Sequence, residues 1–266
     1  MLSLFAQSGL IDLIKKVEHG ERLNFEDGVR LMKSKDILAL GYMANLIRER
    51  KNGDRTYFIV DRSPQLMNED SNSFLSSLQE VEETSRAAMG KHGSEFQETA
   101  HSAEQRTYAS ILYGSTETAE DRVDQLLKLR SLQDKTQGFL TFIPLPVYPK
   151  DALWEGSMGV QTTTGFEDLR MLSVSRILLD NFDHIKAFWI LLGPKLAQVS
   201  LNFGVDDLDG TVVEERIKNS EGTKTEQVMS LRNMLKMIHK AGRHAIERDT
   251  LYQVLKDFGR KGGSLS

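Results

Sequence analysis

Cysteine is absent from all 266 residues of the chain. The chain therefore forms no disulfide and offers no thiolate nucleophile. It also supplies no thiolate ligand for zinc or for an iron–sulfur cluster. The six histidines are scattered, without the spacing of a metal-binding pair. We therefore expect no metal site built from this chain alone.

An excess of basic charge is also absent. The chain has 34 Lys and Arg residues against 38 Asp and Glu residues, for a net charge of -4, whereas a nucleic-acid-binding face requires clustered basic residues. No apolar run reaches the roughly 18 residues of a membrane span. The first residues lack the basic leader of a secreted protein. These features predict a cytoplasmic protein that binds no nucleic acid and spans no membrane.

The signatures of several common catalytic sites are missing as well. The chain contains no G-x-S-x-G nucleophile motif, no P-loop and no G-x-G-x-x-G dinucleotide motif. Each of these motifs supplies a turn that places a nucleophile or a phosphate beside backbone amides. From the residues alone we therefore assign no catalytic residue.

The apolar pattern indicates an α/β protein. Helical periodicity covers the first 50 residues, and from residue 56 strand-like and helical segments alternate. The predicted strands are 56–61, 106–114, 139–149 and 184–193, and the predicted helices after them are 118–138, 164–182, 194–204, about 225–241 and 251–258. Continuously apolar strands separated by helices are typical of a parallel sheet or a βα-barrel.

The number of predicted strands is too small for a closed barrel. We find about four, whereas a closed barrel has eight in about 250 residues. Residues 63–98 are rich in Ser, Glu, Asn and Gln and poor in branched apolar residues, as in a weakly packed connector. The sequence thus predicts three parts: an N-terminal helical segment (1–55), an incomplete βα-barrel with an irregular connector (56–204, connector 63–98) and a C-terminal helical segment (205–266).

Residues that follow the strands are candidates for a ligand pocket. In such folds the working residues lie just beyond the carboxyl ends of the strands. We expect a substrate or cofactor pocket lined by Tyr113, Gly114, Glu117, Pro144, Asp206, Asp207, Asp209, Gly210 and Thr211. The acidic residues lie in a segment, DDLDG (206–210), that is predicted to form a loop before a helix. They have a second interpretation, because carboxylates also stabilise the start of a following helix. Their spacing does not match a calcium-binding EF-hand loop.

Several long stretches resemble one enzyme family. They include DILALGYMANLIRERKNGDRTYFIVDR (36–62), LDNFDHIKAFWILLGPKLAQVSLNFGVDDLDG (179–210) and ERDTLY (247–252). With shorter matches, the resemblance covers about 1–62 and 99–258. These segments are similar to aminodeoxyfutalosine synthase, a radical S-adenosylmethionine transferase of the futalosine route to menaquinone.

The resemblance implies a (β/α) barrel of the radical S-adenosylmethionine type with flanking N- and C-terminal helices. It implies a 4Fe–4S cluster held by three cysteines, with S-adenosylmethionine on the remaining iron. It also implies a 5′-deoxyadenosyl radical that adds to a carboxyvinyloxy-benzoate. In the family, the strand ending in VDR leads to the cysteine loop, whereas Arg62 here leads to Ser63-Pro64. The chain also lacks the strands that follow, and it carries Ser115 where the family usually has His.

The sequence therefore predicts an inactive family member, internally deleted or degenerate, that supports neither cofactor. The alternative is a non-catalytic partner or small-ligand-binding protein of the same pathway. In a third interpretation, the natural gene encodes the missing segment and this sequence misreports the protein. Sequencing the locus around codons 62 to 99 separates this interpretation from the other two. An incomplete barrel exposes a strand edge and an apolar inner face. We expect a second copy of the chain or a pathway enzyme to cover them.

Overall fold

The computed structural model describes residues 5–62, 107–147, 163–210, 212–213 and 228–259. The predicted connector, 63–98, and the pocket candidate Thr211 lie outside these ranges. Within them, no helix combines the length and the hydropathy that crossing a membrane requires.

Helices flank and separate the strands along the described chain. The helices are α1 (Ile11–His19), α2 (Phe25–Lys33), α3 (Ile37–Asn52), α4 (Ala119–Thr136), α5 (Gly165–Leu178), α6 (Trp189–Leu192), α7 (Pro194–Ser200) and α8 (Leu231–Lys240). The strands are β1 (Arg55–Phe58), β2 (Thr107–Tyr113), β3 (Phe139–Pro146), β4 (His184–Phe188), β5 (Asp207–Asp209), β6 (Val212–Val213), β7 (Met229–Ser230), β8 (His244–Arg248) and β9 (Val254–Asp257).

Local capping signals set several helix boundaries. Gly20 adopts the left-handed conformation and ends α1, as glycine commonly does. The side chain of Asn24 accepts a hydrogen bond from the amide of Asp27, whose carboxylate accepts one from the amide of Asn24. The same reciprocal box, made by Thr118 and Asp121, opens α4. These contacts satisfy amide groups that the first helical turn leaves unpaired.

Seven strands form the main sheet, in the order β2-β3-β4-β5-β1-β8-β9. All neighbours pair in parallel except β8 and β9, which are antiparallel. Within the described ranges β2 and β9 are edge strands, so the sheet does not close. The structure confirms a partial (β/α) barrel flanked by the N-terminal helices α1 to α3 and, in the C-terminal part, by α8.

Four local predictions were wrong. The strand predicted for 184–193 ends at Phe188, where the short helix α6 begins. The acidic DDLDG segment, expected as a loop, contains β5, and the final predicted helix contains β9. Residues 205–266 supply three strands of the main sheet besides α8, so the predicted count of four strands was too low.

The two faces of the sheet differ in chemistry. The outer face packs against the helices through buried apolar residues such as Phe58, Ile111 and Phe142. On the other face, here called the inner face, Tyr57 aligns with Asp207, and Asp207 aligns with Lys186. All three are buried. The inner face was expected to be apolar, but its centre carries charged side chains.

Candidate functional site

Glu117 closes the turn at the carboxyl end of β2. Its carboxylate accepts hydrogen bonds from the amide of Gly114 and, at 2.9 Å, from the amide of Ser115. Arg122 donates to it through Nε at 2.9 Å. Burial opposes ionisation of Glu117, but the amide bonds and the Arg122 charge outweigh burial and lower its pKa. The candidates Gly114 and Glu117 therefore meet in one preformed, ionised turn.

Tyr113 and Pro144 lie on the outer face rather than the inner one. The Tyr113 hydroxyl donates to Oδ1 of Asp168 on α5 at 2.8 Å. Burial raises the pKa of Asp168, against the opposing effect of that hydrogen bond. Pro144 aligns with Ile111, which belongs to the same apolar core as Tyr113. The structure does not bring these two candidates together with the carboxylates of β5.

Asp206 lies at the amino end of β5, the end opposite to the one expected for a ligand pocket. Its side chain is completely buried and forms an ion pair with Arg176. Its other oxygen contacts Nδ1 of His184 at 2.6 Å. Burial opposes ionisation, but Arg176 and His184 outweigh it and lower the pKa of Asp206. Asp206 therefore joins α5 to the first residue of β4.

Asp207 and Asp209 form two ion pairs on the inner face. Nε of Arg248 donates to Oδ2 of Asp207 at 2.8 Å, and both side chains are completely buried. Nζ of Lys186 donates to Oδ2 of Asp209 at 2.7 Å. Burial opposes ionisation of Asp209, but the Lys186 charge outweighs it and lowers the pKa. The two carboxylates thus lie on one face, each with its own cation.

Gly210 follows β5 and touches the indole of Trp189 at the start of α6. A Cβ atom at Gly210 would lie 2.3 Å from Nε1 of Trp189, and the Gly210 backbone has φ +136. Any residue other than glycine at this position would force the backbone or the indole to move. The indole nitrogen of Trp189 is buried and has no hydrogen-bond partner among the residues that the structure describes. Gly210 therefore serves the packing of Trp189 at the carboxyl ends of β4 and β5.

Three residues of the inner face were not among the sequence candidates: Lys186, Arg248 and Tyr252. Lys186 stands in a strand that is otherwise largely apolar, and Arg248 follows the buried apolar pair Ala245 and Ile246 by two residues. A cation in such a place signals a buried partner. The ring of Tyr252 lies between two neighbours, with the Arg248 guanidinium 4.0 Å from its centroid and the His184 ring stacked at 3.7 Å. Tyr252 has φ +63, an unusual conformation for an aromatic residue.

Comparison with known proteins assigns the family. Residues 136–260 match the family model described as the CofH/MqnC C-terminal region. The aminodeoxyfutalosine synthase of Thermus thermophilus is 31% identical over 361 aligned positions, which cover 94% of this chain and 97% of that protein. The chain belongs to the aminodeoxyfutalosine synthase family. This result confirms the resemblance found in the sequence.

Two other relatives match a shorter span. The aminodeoxyfutalosine synthase of Streptomyces coelicolor is 38% identical over 167 residues, covering 60% of this chain and 43% of that protein. The 5-amino-6-(D-ribitylamino)uracil--L-tyrosine 4-hydroxyphenyl transferase 1 of Methanosarcina acetivorans is 42% identical over 158 residues, covering 58% of this chain and 42% of that protein. In both cases the matched part of the chain spans less than half of the relative.

Solved structures with the same fold are more distant in sequence. Methylornithine synthase superposes with a TM-score of 0.60 at 14% identity, covering 87% of this chain and 96% of that one. The FeFe-hydrogenase maturase HydG from Carboxydothermus hydrogenoformans gives 0.60 at 11% identity, with 92% and 80% covered. At these identities the likeness establishes the fold alone, and in this chain that fold is a partial (β/α) barrel.

The family implies a 4Fe–4S cluster and S-adenosylmethionine, and the donor set of this chain does not fit the cluster. Cluster irons are held by cysteine thiolates, and the whole sequence contains no cysteine. Within the described ranges, no group of three His, Asp or Glu side chains is arranged to hold a metal ion. The carboxylates of the inner face instead pair with cations of the chain itself.

Proposed function

We propose that this chain is an internally shortened member of the aminodeoxyfutalosine synthase family that does not carry out the radical reaction on its own. One observation carries the proposal, namely that a family defined by a thiolate-held cluster has here a member without cysteine. Carboxylate and imidazole groups do not reproduce a three-thiolate set, because soft thiolates are the ligands that iron–sulfur clusters prefer.

The alignment with the Thermus thermophilus enzyme supports an internal loss. That alignment spans 361 positions and reaches 97% of the relative, whereas this chain has only 266 residues. At least 95 aligned positions therefore face no residue of this chain. Because both proteins are covered almost end to end, the missing positions lie mainly inside the alignment. The junction after Arg62, where the family places its cysteine loop, is the position we favour for the loss.

Cleavage of S-adenosylmethionine tests this proposal. The purified chain is incubated anaerobically with iron, sulfide, a strong reductant and S-adenosylmethionine, and 5′-deoxyadenosine is measured by chromatography. The Thermus thermophilus enzyme, treated identically, is the positive control. We expect 5′-deoxyadenosine from the control and none above background from this chain. Formation of 5′-deoxyadenosine at a rate comparable to the control would overturn the proposal.

A second candidate function is retention of a ligand-binding surface without catalysis. The observation that favours it is the preformed turn at Gly114 and Glu117, which keeps an ionised carboxylate in place at a strand end. Calorimetric titration with carboxyvinyloxy-benzoate, the substrate that the resemblance implies, tests this function. Saturable binding that is weakened by Glu117→Ala supports it, because that carboxylate closes the turn through the Gly114 and Ser115 amides and does not itself attract a dicarboxylate ligand. An absence of heat at millimolar ligand argues against it.

A further inference from the structure

A polar cavity lies at the amino ends of β3 and β4. The Glu117 turn lies at the opposite end of the strands, after the carboxyl end of β2. Its volume is about 370 Å³, which is within the range of sites for small ligands. Apolar contacts come from Phe139, Leu140 and Leu251, and the polar lining includes Asn181, Asp183 and His184. No part of the proposed function uses this cavity.

His184 lines the cavity, and one of its ring nitrogens already makes a hydrogen bond. Nδ1 contacts the carboxylate of Asp206 at 2.6 Å, and that carboxylate is completely buried beside Arg176. An ionised carboxylate only accepts hydrogen bonds, so Nδ1 carries the proton. In the neutral form of the ring, Nε2 is an acceptor, and it makes no hydrogen bond within the described part of the chain. The arrangement is a carboxylate-oriented imidazole beside an open volume.

Two neighbouring side chains add further acceptors. The amide nitrogen of Asn181 donates to the carbonyl of Arg130 and to Asp134, both at 2.8 Å. Its amide oxygen is buried and accepts no hydrogen bond from any described residue, which carries a free-energy cost that a donor would relieve. The side chain of Asp183 is 79% exposed and makes a 3.2 Å contact with Lys51. It therefore keeps acceptor capacity toward a ligand.

The lining supplies few cationic groups of its own. Among the described residues that line the cavity there is no lysine or arginine, and Asp134 is the second carboxylate there. Asp134 is engaged by Arg22 at 2.6 and 2.8 Å, so Asp183 is the carboxylate left with one weak partner. Acceptors beside apolar contacts favour a ligand with a cationic donor and an apolar body.

We propose that this cavity binds a small primary amine that carries an apolar ring. The ammonium group donates to Nε2 of His184 and to the carboxylate of Asp183, and the ring lies against Phe139, Leu140 and Leu251. This site is separate from the Glu117 turn, and it does not depend on whether the chain performs radical chemistry.

Benzylamine is the probe, and benzoate is its control of opposite charge with the same ring. Binding is followed by calorimetry and by the imidazole ¹⁵N signals of His184 in the full chain. We expect saturable binding of benzylamine at millimolar concentration or tighter, a shift of the Nε2 signal and no binding of benzoate. Asp183→Asn, at an exposed position, weakens benzylamine binding about threefold, because exposed charge pairs contribute modestly.

Two tryptophan variants with matched exposure locate the site. Leu251 and Val254 are each 56% exposed, but only Leu251 lines the cavity. Leu251→Trp fills the cavity and abolishes benzylamine binding, whereas Val254→Trp leaves it unchanged. Three results would each overturn the proposal: equal binding of benzoate, no binding of benzylamine at all, or binding that survives Leu251→Trp. Circular dichroism shows that both variants are folded before either is titrated.

Discussion

Asp207 and Arg248 form a completely buried ion pair, with Nε of Arg248 2.8 Å from Oδ2 of Asp207. Asp207 lies on β5 and Arg248 on β8, and these are the two strands that flank β1. The pair therefore spans the strand that leads to Arg62, where the family places its cysteine loop. It fixes the centre of the inner face with groups that the chain itself supplies.

Removing one partner of this pair is expected to be costly. Arg248→Met leaves the Asp207 carboxylate buried without its cation and lowers the free energy of unfolding by about 3–5 kcal/mol. Adding Asp207→Leu to Arg248→Met restores part of that loss, because the orphaned charge is gone. The exposed ion pair of Arg22 with Asp134 is the control, and Arg22→Met costs about 1 kcal/mol or less.

Urea unfolding of the four proteins measures these differences. A loss below about 1 kcal/mol for Arg248→Met, equal to that of Arg22→Met, would show that the buried pair does not hold the sheet.

Gly210 is expected to tolerate no side chain. Gly210→Ala pushes its methyl group into the indole of Trp189 and lowers the free energy of unfolding by about 1–3 kcal/mol through overpacking alone. Gly259→Ala is the matched control, since Gly259 has φ +67 but no atom within 4 Å of the added Cβ. It carries only the backbone cost, roughly 1–2 kcal/mol.

Thermal and urea unfolding compare the two glycine variants, and tryptophan fluorescence reports on the indole. We expect a shifted emission maximum in Gly210→Ala and none in Gly259→Ala. Equal stability losses with unchanged fluorescence would contradict the close packing of Gly210 on Trp189.

Asp168 is expected to make stability fall as pH rises. Burial raises its pKa in the folded protein above the unfolded value, so folding favours the protonated carboxyl group. That contribution is present below the unfolded pKa and is lost as pH rises through the folded pKa. Asp168→Asn stays uncharged and keeps an oxygen that accepts the Tyr113 hydroxyl. The variant therefore gains stability relative to the parent between pH 4 and pH 7.

Urea unfolding of the parent and of Asp168→Asn at pH 4 and pH 7 gives the comparison. A stability difference that is independent of pH, or one that moves against the variant as pH rises, would rule out a raised pKa at Asp168.

The sequence predicted what depends on local spacing. Two helix starts are marked by capping residues only three positions apart, namely Asn24 with Asp27 and Thr118 with Asp121. The strand β3 is recognisable from its own continuously apolar sequence. The family resemblance rests on the same kind of contiguous signal. Of the site, the Gly114–Glu117 turn was accessible for this reason, because both residues belong to one short segment after a strand.

Long-range pairing explains the rest. The spacing of Leu251, Val254, Leu255 and Phe258 is helical, but the first three are exposed and β9 forms because it pairs with β8. Asp207 and Asp209 were predicted to lie in a loop, because adjacent carboxylates without nearby cations are typical of exposed segments. Their cations, Arg248 and Lys186, are about 20–40 residues distant in sequence. The short helix that begins at Trp189 likewise packs against Gly210, a contact that no local pattern contains.

Iron content after reconstitution tests the central claim most directly. The chain and the Thermus thermophilus enzyme are treated anaerobically with excess iron and sulfide, desalted, and assayed for protein-bound iron and sulfide. Because the chain supplies no thiolate, we predict well below one iron per chain and no absorption band of a 4Fe–4S cluster. About four irons and four sulfides per chain, with that band present, would contradict the claim.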